Sequence, residues 1–461
     1  MACQVCGSRP DALAGTCFAG LRLPERPGRR DRLEWDTIGL LMKVFHGWRM
    51  VAAGTTLQLF QAALMQQAFG AYVAVLAAEK GWSKTALSGG AALQSMESAV
   101  IGPALGWLCD RVGPYRLIRA GVVIFGAGMI ALSRVESLGG FYAALVVIAL
   151  GTSLAGYFPI NIAVIHWFER YRARALSIVG LGMALGGLFV PLVAGSMQIF
   201  GWRSTAMWSG VLIIVLCGPI SMLFKDRPQA LGQEIDGDWS AAKAVGGNAS
   251  DDEAVEFTAR EALRTWAFWL VSLGHGFALL AVTAVNVHAI TLIKESLGYT
   301  VAQASLVITL MTASQVVGVL VGMAFGDRLN KRLLAAFCML MHAAGLILLA
   351  WAQGPVMLTG FALLHGAAWG LRGPLMQAIR ADYFGRRSIG MIMGLSTLIV
   401  AIGQIGGPMI AGGLADITGN YRAGFTLLAV LVGLGSLLFY FGSPPPRPVR
   451  VAVTDPAAKA P

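Results

Sequence analysis

One arginine stands in an otherwise apolar run, Trp369-Gly370-Leu371-Arg372-Gly373-Pro374. A guanidinium carries five donors in a planar fork that matches two carboxylate oxygens, and it stays charged at any ordinary pH. Held away from bulk water, such a group suits a small organic anion. The alternative is permanent neutralisation by an acid of the same chain, and Glu97, also in an apolar run, is the candidate. A Glu97 without that partner could instead carry a proton. Tyr157 precedes Pro159 by two residues, as Arg372 precedes Pro374 by two. Its phenol could donate to a bound carboxylate or simply pack between helices. Asn161 falls one helical turn further on, on the same face. Gln61, Gln66, Gln67, Asn286, His288 and Gln404 are further polar side chains in apolar segments. Gln66 and Gln67 point in different directions, so only one of them can face a given cavity. The His288 imidazole could bind a proton, or it could be held by an ordinary hydrogen bond.

The elements that must position these groups follow from composition. Of 461 residues, 56% are hydrophobic and 13% charged, against about 25% charged in a soluble domain. Mean hydropathy is +0.67. A soluble chain this apolar would expose a large greasy surface, and a disordered one needs the opposite balance. A polytopic membrane protein fits. Its net charge of +11 lies in short basic clusters between apolar runs, which excludes a nucleic-acid-binding reading and suits loops at a membrane surface. The six cysteines (Cys3, Cys6, Cys17, Cys109, Cys217, Cys338) form no disulfide framework. Cys3-x-x-Cys6 has no second pair to complete a metal site. Phosphate-loop, H-E-x-x-H and G-x-S-x-G motifs are absent from the sequence, so neither an enzyme nor a cofactor is expected.

About 20 apolar residues cross a bilayer. Twelve segments qualify, near 50–77, 85–108, 117–134, 139–165, 175–199, 204–224, 265–293, 300–324, 333–352, 355–379, 388–415 and 422–442. The expected organisation is an N-terminal extension (1–47), a six-helix bundle (48–224), a polar linker (225–264), a second six-helix bundle (265–442) and a tail (443–461). Residues 1–41 are rich in Arg and Pro and do not read as a secretory signal; Met42 is an alternative start. One set of loops carries eleven basic residues: Arg111, Arg116, Arg119, Arg170, Arg172, Arg174, Arg328, Lys331, Arg332, Arg386 and Arg387. The opposite set carries six: Lys80, Lys84, Arg134, Arg203, Lys294 and Arg422. The first set is therefore expected on the cytoplasmic side of an inner (plasma) membrane, with both termini.

The halves repeat. Gly81-Trp82-Ser83 answers Gly298-Tyr299-Thr300 at an offset of 217, Asp110-Arg111 answers Asp327-Arg328 at 217, and Pro191 answers Pro408 at 217. Gly102-x-x-x-Gly106 answers Gly318-x-x-x-Gly322 at 216, and Phe168 answers Phe384 at 216. Five matches in order imply duplication, and an even number of spans per copy sets both halves the same way up, with a site between them.

Gly106-Trp107-Leu108-Cys109-Asp110-Arg111-Val112-Gly113-Pro114-Tyr115-Arg116 resembles the loop 2–3 signature of the major facilitator superfamily. Gly81-Trp82-Ser83, Trp167-Phe168 with Arg170 and Arg172, Gly201-Trp202-Arg203, and Ala381-Asp382-Tyr383-Phe384-Gly385-Arg386-Arg387 resemble its monocarboxylate and oxalate/formate branch. The resemblance spans about residues 45–445 and implies an all-α fold of twelve transmembrane helices in two pseudo-symmetric bundles. It also implies a gating role for Gly106, Asp110, Arg111, Gly113, Arg116, Asp327 and Arg328, whose acids latch one side and release it during transport. The second copy departs from the signature: Met323 stands four residues before Asp327, with Gly326 adjacent.

The expected function is secondary active transport of small organic anions, monocarboxylates foremost, coupled to a proton or to a counter-anion. Arg372, Tyr157, Asn161, Gln66, Asn286 and His288 are the expected substrate contacts, and Glu97 and His288 the expected proton carriers. An efflux pump for apolar compounds is the runner-up, and a non-transporting membrane sensor a third reading. The protein is expected to act as a monomer in the lipid bilayer.

Overall fold

The computed structural model describes residues 45–82, 100–237 and 256–446. Glu97, the alternative start, the first three cysteines, and Asp238, Asp251, Asp252 and Glu253 of the linker lie outside the described residues.

Twelve helical rods are described in whole or in part. In the first half, α1 joins His46–Gln61, a π-helical turn Ala62–Gln66 and Phe69–Lys80. The described part of α2 is 100–112, and α3 is Pro114–Ser133. Next, α4 is Leu138–Ala155 plus Tyr157–Trp167. Then α5 runs Arg172–Gly186, Gly187–Phe189, Val190–Phe200, and α6 runs Trp202–Leu212, Ile213–Cys217, Gly218–Ser221. The second half holds α7 (Trp266–Leu297), α8 (Val301–Phe325), α9 (Lys331–Ala350), α10 (Pro355–Phe384), α11 (Ile389–Thr418) and α12 (Arg422–Phe441). Among the described residues, nine helices are long and apolar enough to cross a membrane. Exposed Val215, Leu306 and Ile402 suit hydrocarbon rather than water.

Local chemistry sets the helix ends. Thr300 caps α8 in a reciprocal box with Gln303, and the Asn330 side chain accepts from the first N–H groups of α9. α7 ends on Gly298 and α11 on Gly419, with φ of +68° and +73°, a left-handed conformation that glycine adopts without strain.

Packing repeats with the sequence. In the first half α1 packs on α5, α3 on α4 and α3 on α6; in the second, α7 packs on α11, α9 on α10 and α9 on α12. The two bundles are thus copies of one arrangement, joined where α5 meets α8 and α10. The copies differ in α4. It breaks at Gly156, which is extended (φ −93°, ψ −161°), so that Tyr157 opens a new helical segment. In α10 the residue one before Arg372 is Leu371, and the helix runs on through Pro374 unbroken.

Candidate functional site

The two halves close on one another at the end that carries the Arg-rich loops. Asp110, near the end of α2, accepts from the N–H groups of Gly390 (2.9 Å) and Met391 (2.7 Å), the start of α11. Asp327, after α8, accepts from Ala173 (2.7 Å) and Arg174 (3.0 Å), the start of α5. Each carboxylate thus caps a helix of the other half, where unpaired N–H groups favour negative charge. Both the acids and the N–H pairs that donate to them are related by the repeat offset of 217, so Asp327 makes the second contact despite Met323. Where α2 meets α11 the backbones nearly touch: a Cβ on Gly106 would collide with the Gly390 carbonyl, and one on Gly394 would lie 2.6 Å from the Gly102 carbonyl oxygen.

Ion pairs complete this end. Arg172 of α5, 3% exposed, pairs with Asp382 of α10, which also receives Lys331 at 2.8 Å. Arg386 reaches Glu169. The described ends of the linker hold the loops from outside: Asp236 accepts from the N–H groups of Glu169, Arg170 and Tyr171, and Glu256 from those of Arg386 and Arg387. Asp382→Ala would strand the buried Arg172 cation. We expect a loss of about 2 kcal/mol, below the range for a fully buried pair because Asp382 is partly solvated. Thermal unfolding in detergent checks this, and Arg172→Met in the same chain should recover most of the loss.

Between the halves lies a cavity of about 660 Å³. Its wall is lined with amides and hydroxyls: Gln58, Gln61 and Gln66 from α1, Thr152, Ser153 and Tyr157 from α4, Thr283 from α7, and Thr397 and Gln404 from α11. The π-helical turn of α1 ends at Gln66 and so aims that side chain into the cavity. Among the described residues, no acid lines it.

Arg372 is not itself on the cavity wall. It is 1% exposed, buried within the bundle rather than facing lipid. Its Nε and Nη1 have no hydrogen-bond partner, and no carboxylate pairs with it among the described residues. It lies within electrostatic range of Tyr157, which does line the cavity, and of Cys338. Asn161 is fully buried beside the Tyr157 hydroxyl. A buried cation, a buried amide and a phenol so close to a cavity form a polar centre able to take a ligand.

Other expected residues sit elsewhere. His288 Nε2 lies 3.1 Å from the Pro408 carbonyl oxygen and its ring leans on Tyr421. Asn286 is exposed and absent from the cavity wall, as is Gln67. Arg111 stacks over Trp107, Arg116 donates to the Tyr115 hydroxyl, and Arg328 is exposed. Gly113 has φ +92°, and a Cβ there would meet the Asp226 carboxylate at 2.5 Å.

Three buried basic residues (Arg380, His342, His365) and the half-buried His275 escaped the sequence reading. Arg380 on α10, 3% exposed, donates to Ser396 Oγ (2.7 Å) and His275 Nδ1 (3.0 Å). A guanidinium only donates, so His275 carries its proton on Nε2. His342 on α9 and His365 on α10 are both fully buried and meet through their Nδ1 atoms at 3.1 Å. Each histidine stands alone in an apolar run, the signal that singled out His288. Arg380 lies one residue past the expected end of its span, and the helix continues to Phe384.

At the opposite end the first half carries an open ionic cluster: Glu136 with Lys80 and Arg203, and Glu79 with Arg203. Hydrogen bonds from Lys80 and Arg203 hold the Glu136 carboxyl below its usual range. A depressed value means a contribution present above the ordinary glutamate range, about 4.3, and lost as pH falls through the depressed value. The stability difference between the unaltered protein and Glu136→Gln should therefore stay constant from pH 8 to 5 and vanish only in stronger acid, as read by thermal scans.

Sequence comparison gives a match to the Major Facilitator Superfamily profile over residues 55–286 and 271–460. Monocarboxylate transporter 13 of Bos taurus is 23% identical over 353 residues, covering 74% of this chain and 78% of its own. A quinolone resistance transporter of Acinetobacter baumannii is 23% identical over 357 residues, covering 72% and 79%. Among solved structures, the proton:xylose symporter XylE superposes with a TM-score of 0.69 at 14% identity, covering 86% of this chain and 96% of its own.

Proposed function

Because this chain belongs to the major facilitator superfamily of membrane transporters, we propose that it carries small organic anions, monocarboxylates foremost, by exposing a central site to each side of the membrane in turn, coupled to a proton or to a counter-anion. The observation that carries the anion reading is Arg372, a fully buried guanidinium with no carboxylate partner among the described residues. An unpaired buried charge is costly, and a bound carboxylate offsets that cost. Tyr157 and Gln66 on the cavity wall complete a donor set suited to carboxylate oxygens. The similarity to a monocarboxylate transporter supports the same class.

Sidedness follows from charge. The closed end carries the Arg-rich loops and is read as cytoplasmic, which makes this conformation closed inward with its cavity serving the outer side. The similarity to a quinolone resistance transporter favours a second reading, efflux of apolar compounds. Against cationic cargo stands a cavity wall whose described residues include no acid. Uptake of radiolabelled lactate, pyruvate and oxalate into proteoliposomes separates the readings. Loss of uptake in Arg372→Ala supports the anion site, and unimpaired flux of every carboxylate in that variant removes it.

A further inference from the structure

The second half buries a pair of histidines that the transport reading has not used. His342 of α9 and His365 of α10 are both fully buried, their Nδ1 atoms 3.1 Å apart and their rings nearly edge to face at 67°. Nδ1 can meet Nδ1 only if one donates and the other accepts. One imidazole is then the Nδ1–H tautomer, with a bare Nε2. The other carries its hydrogen on Nε2. Both Nε2 atoms are buried with no hydrogen-bond partner. A proton arriving at the bare Nε2 turns the donor ring into an imidazolium and leaves the shared Nδ1–H···Nδ1 bond in place. The pair can therefore load and unload one proton without repacking.

Charge decides when it loads. Among the described residues, the titratable groups around the pair are Cys338, one turn before His342 on α9, and Arg372, two turns after His365 on α10. His275 of α7 is engaged by Arg380. α8 carries no titratable side chain, and α12 carries them only at its ends, Arg422 and Tyr440. Among the described residues, the charged neighbour within range of both rings is thus Arg372. With the site empty, a proton on the pair would put a second buried cation beside the first. With a carboxylate on Arg372, that repulsion is cancelled.

We propose that the His342–His365 pair is the proton-carrying site of this transporter, loaded together with an organic anion on Arg372. The inference rests on the anion reading above and deepens it, giving obligatory pairing of one proton with one negative charge. At about 10 Å and an effective dielectric near 20, cancelling the Arg372 charge changes proton occupancy of the pair about tenfold. Coupling of that size is reciprocal, so protons strengthen anion binding by the same factor.

The test uses the full chain in proteoliposomes, with lactate, pyruvate and oxalate as probes and pyranine inside to count protons. With acid outside, the unaltered protein should accumulate substrate and move protons with it. His342→Asn and His365→Asn, singly and together, keep a hydrogen-bonding group near each Nδ1 but cannot titrate. They should lose about tenfold in pH-driven accumulation while substrate-for-substrate exchange stays within about twofold. Full pH-driven accumulation in the double variant would overturn the proposal. So would net carboxylate uptake by the unaltered protein with no proton movement, which leaves the anion site standing. Failure of the unaltered protein to move any of the three carboxylates would overturn the anion reading itself and the coupling with it. Should the variants fail to assemble, His342→Gln and His365→Gln take their place, and net uptake without protons by the unaltered protein still overturns the proposal.

Discussion

Arg372→Met is expected to abolish carboxylate uptake and, in the same molecule, to leave thermal stability unchanged or raise it. The two effects have one cause. A guanidinium fork on a carboxylate makes two charge-assisted hydrogen bonds, each worth about 1.5–3 kcal/mol. Their loss should lower uptake efficiency at least about a hundredfold. Without cargo the same cation is buried and unpaired among the described residues, so an apolar side chain of similar length removes a cost. Exchanges of that kind are neutral or stabilising by about 1–4 kcal/mol. Arg372→Lys restores charge without the fork and should recover only part of the activity. Uptake assays and thermal scans on the same purified samples read both effects. A drop of several degrees in the unfolding temperature of Arg372→Met would show that Arg372 has a permanent partner in the protein. Glu97 is the acid that the sequence offers for that role.

Asp110→Ala combined with Asp327→Ala should open the end of the molecule at which the halves are joined. Each carboxylate satisfies two backbone N–H groups at the start of a helix in the opposite half. Leaving a helix start uncapped costs about 1–2 kcal/mol, so each substitution shifts the closed-to-open ratio about tenfold and the pair about a hundredfold. Spin labels on α5 and α8 at that end should report a longer distance in the double variant, and an unchanged distribution would refute the latch. Acidity acts in a definite direction. Burial pushes the Asp327 carboxyl above its usual range, and the N–H groups of Arg174 and Ala173 only partly offset this. A raised value means a contribution to closure that is full below the ordinary aspartate range, about 3.9, and is lost as pH rises through the raised value. Closure should therefore strengthen on acidification. Asp327→Asn, which keeps one acceptor without the charge, should remain closed at pH 7.

Helix α10 shows how far sequence reasoning reaches in such a protein and where it stops. Its span, its proline and its lone Arg372 were legible, because hydropathy over twenty residues and a charge inside an apolar run are local signals. That Arg380 is also drawn inside was not legible. Its burial depends on His275 and Ser396, contributed by two other helices. The meeting of His342 with His365 was hidden for the same reason, the two lying 23 residues apart on separate helices.

The sequence by itself determined the number of spans, the duplication, the acids at the ends of α2 and α8, and the presence of an arginine at membrane depth. All of these are written in residue type and spacing along one strand of chain. Only the tertiary structure decided which face of each helix turns inward, and hence that Arg372 has no carboxylate partner among the described residues and that two histidines of separate helices meet through their Nδ1 atoms. In water a helix betrays its inner face by its apolar stripe. Here lipid and protein core are equally apolar, so the stripe is lost and inner and outer faces look alike until the helices are packed.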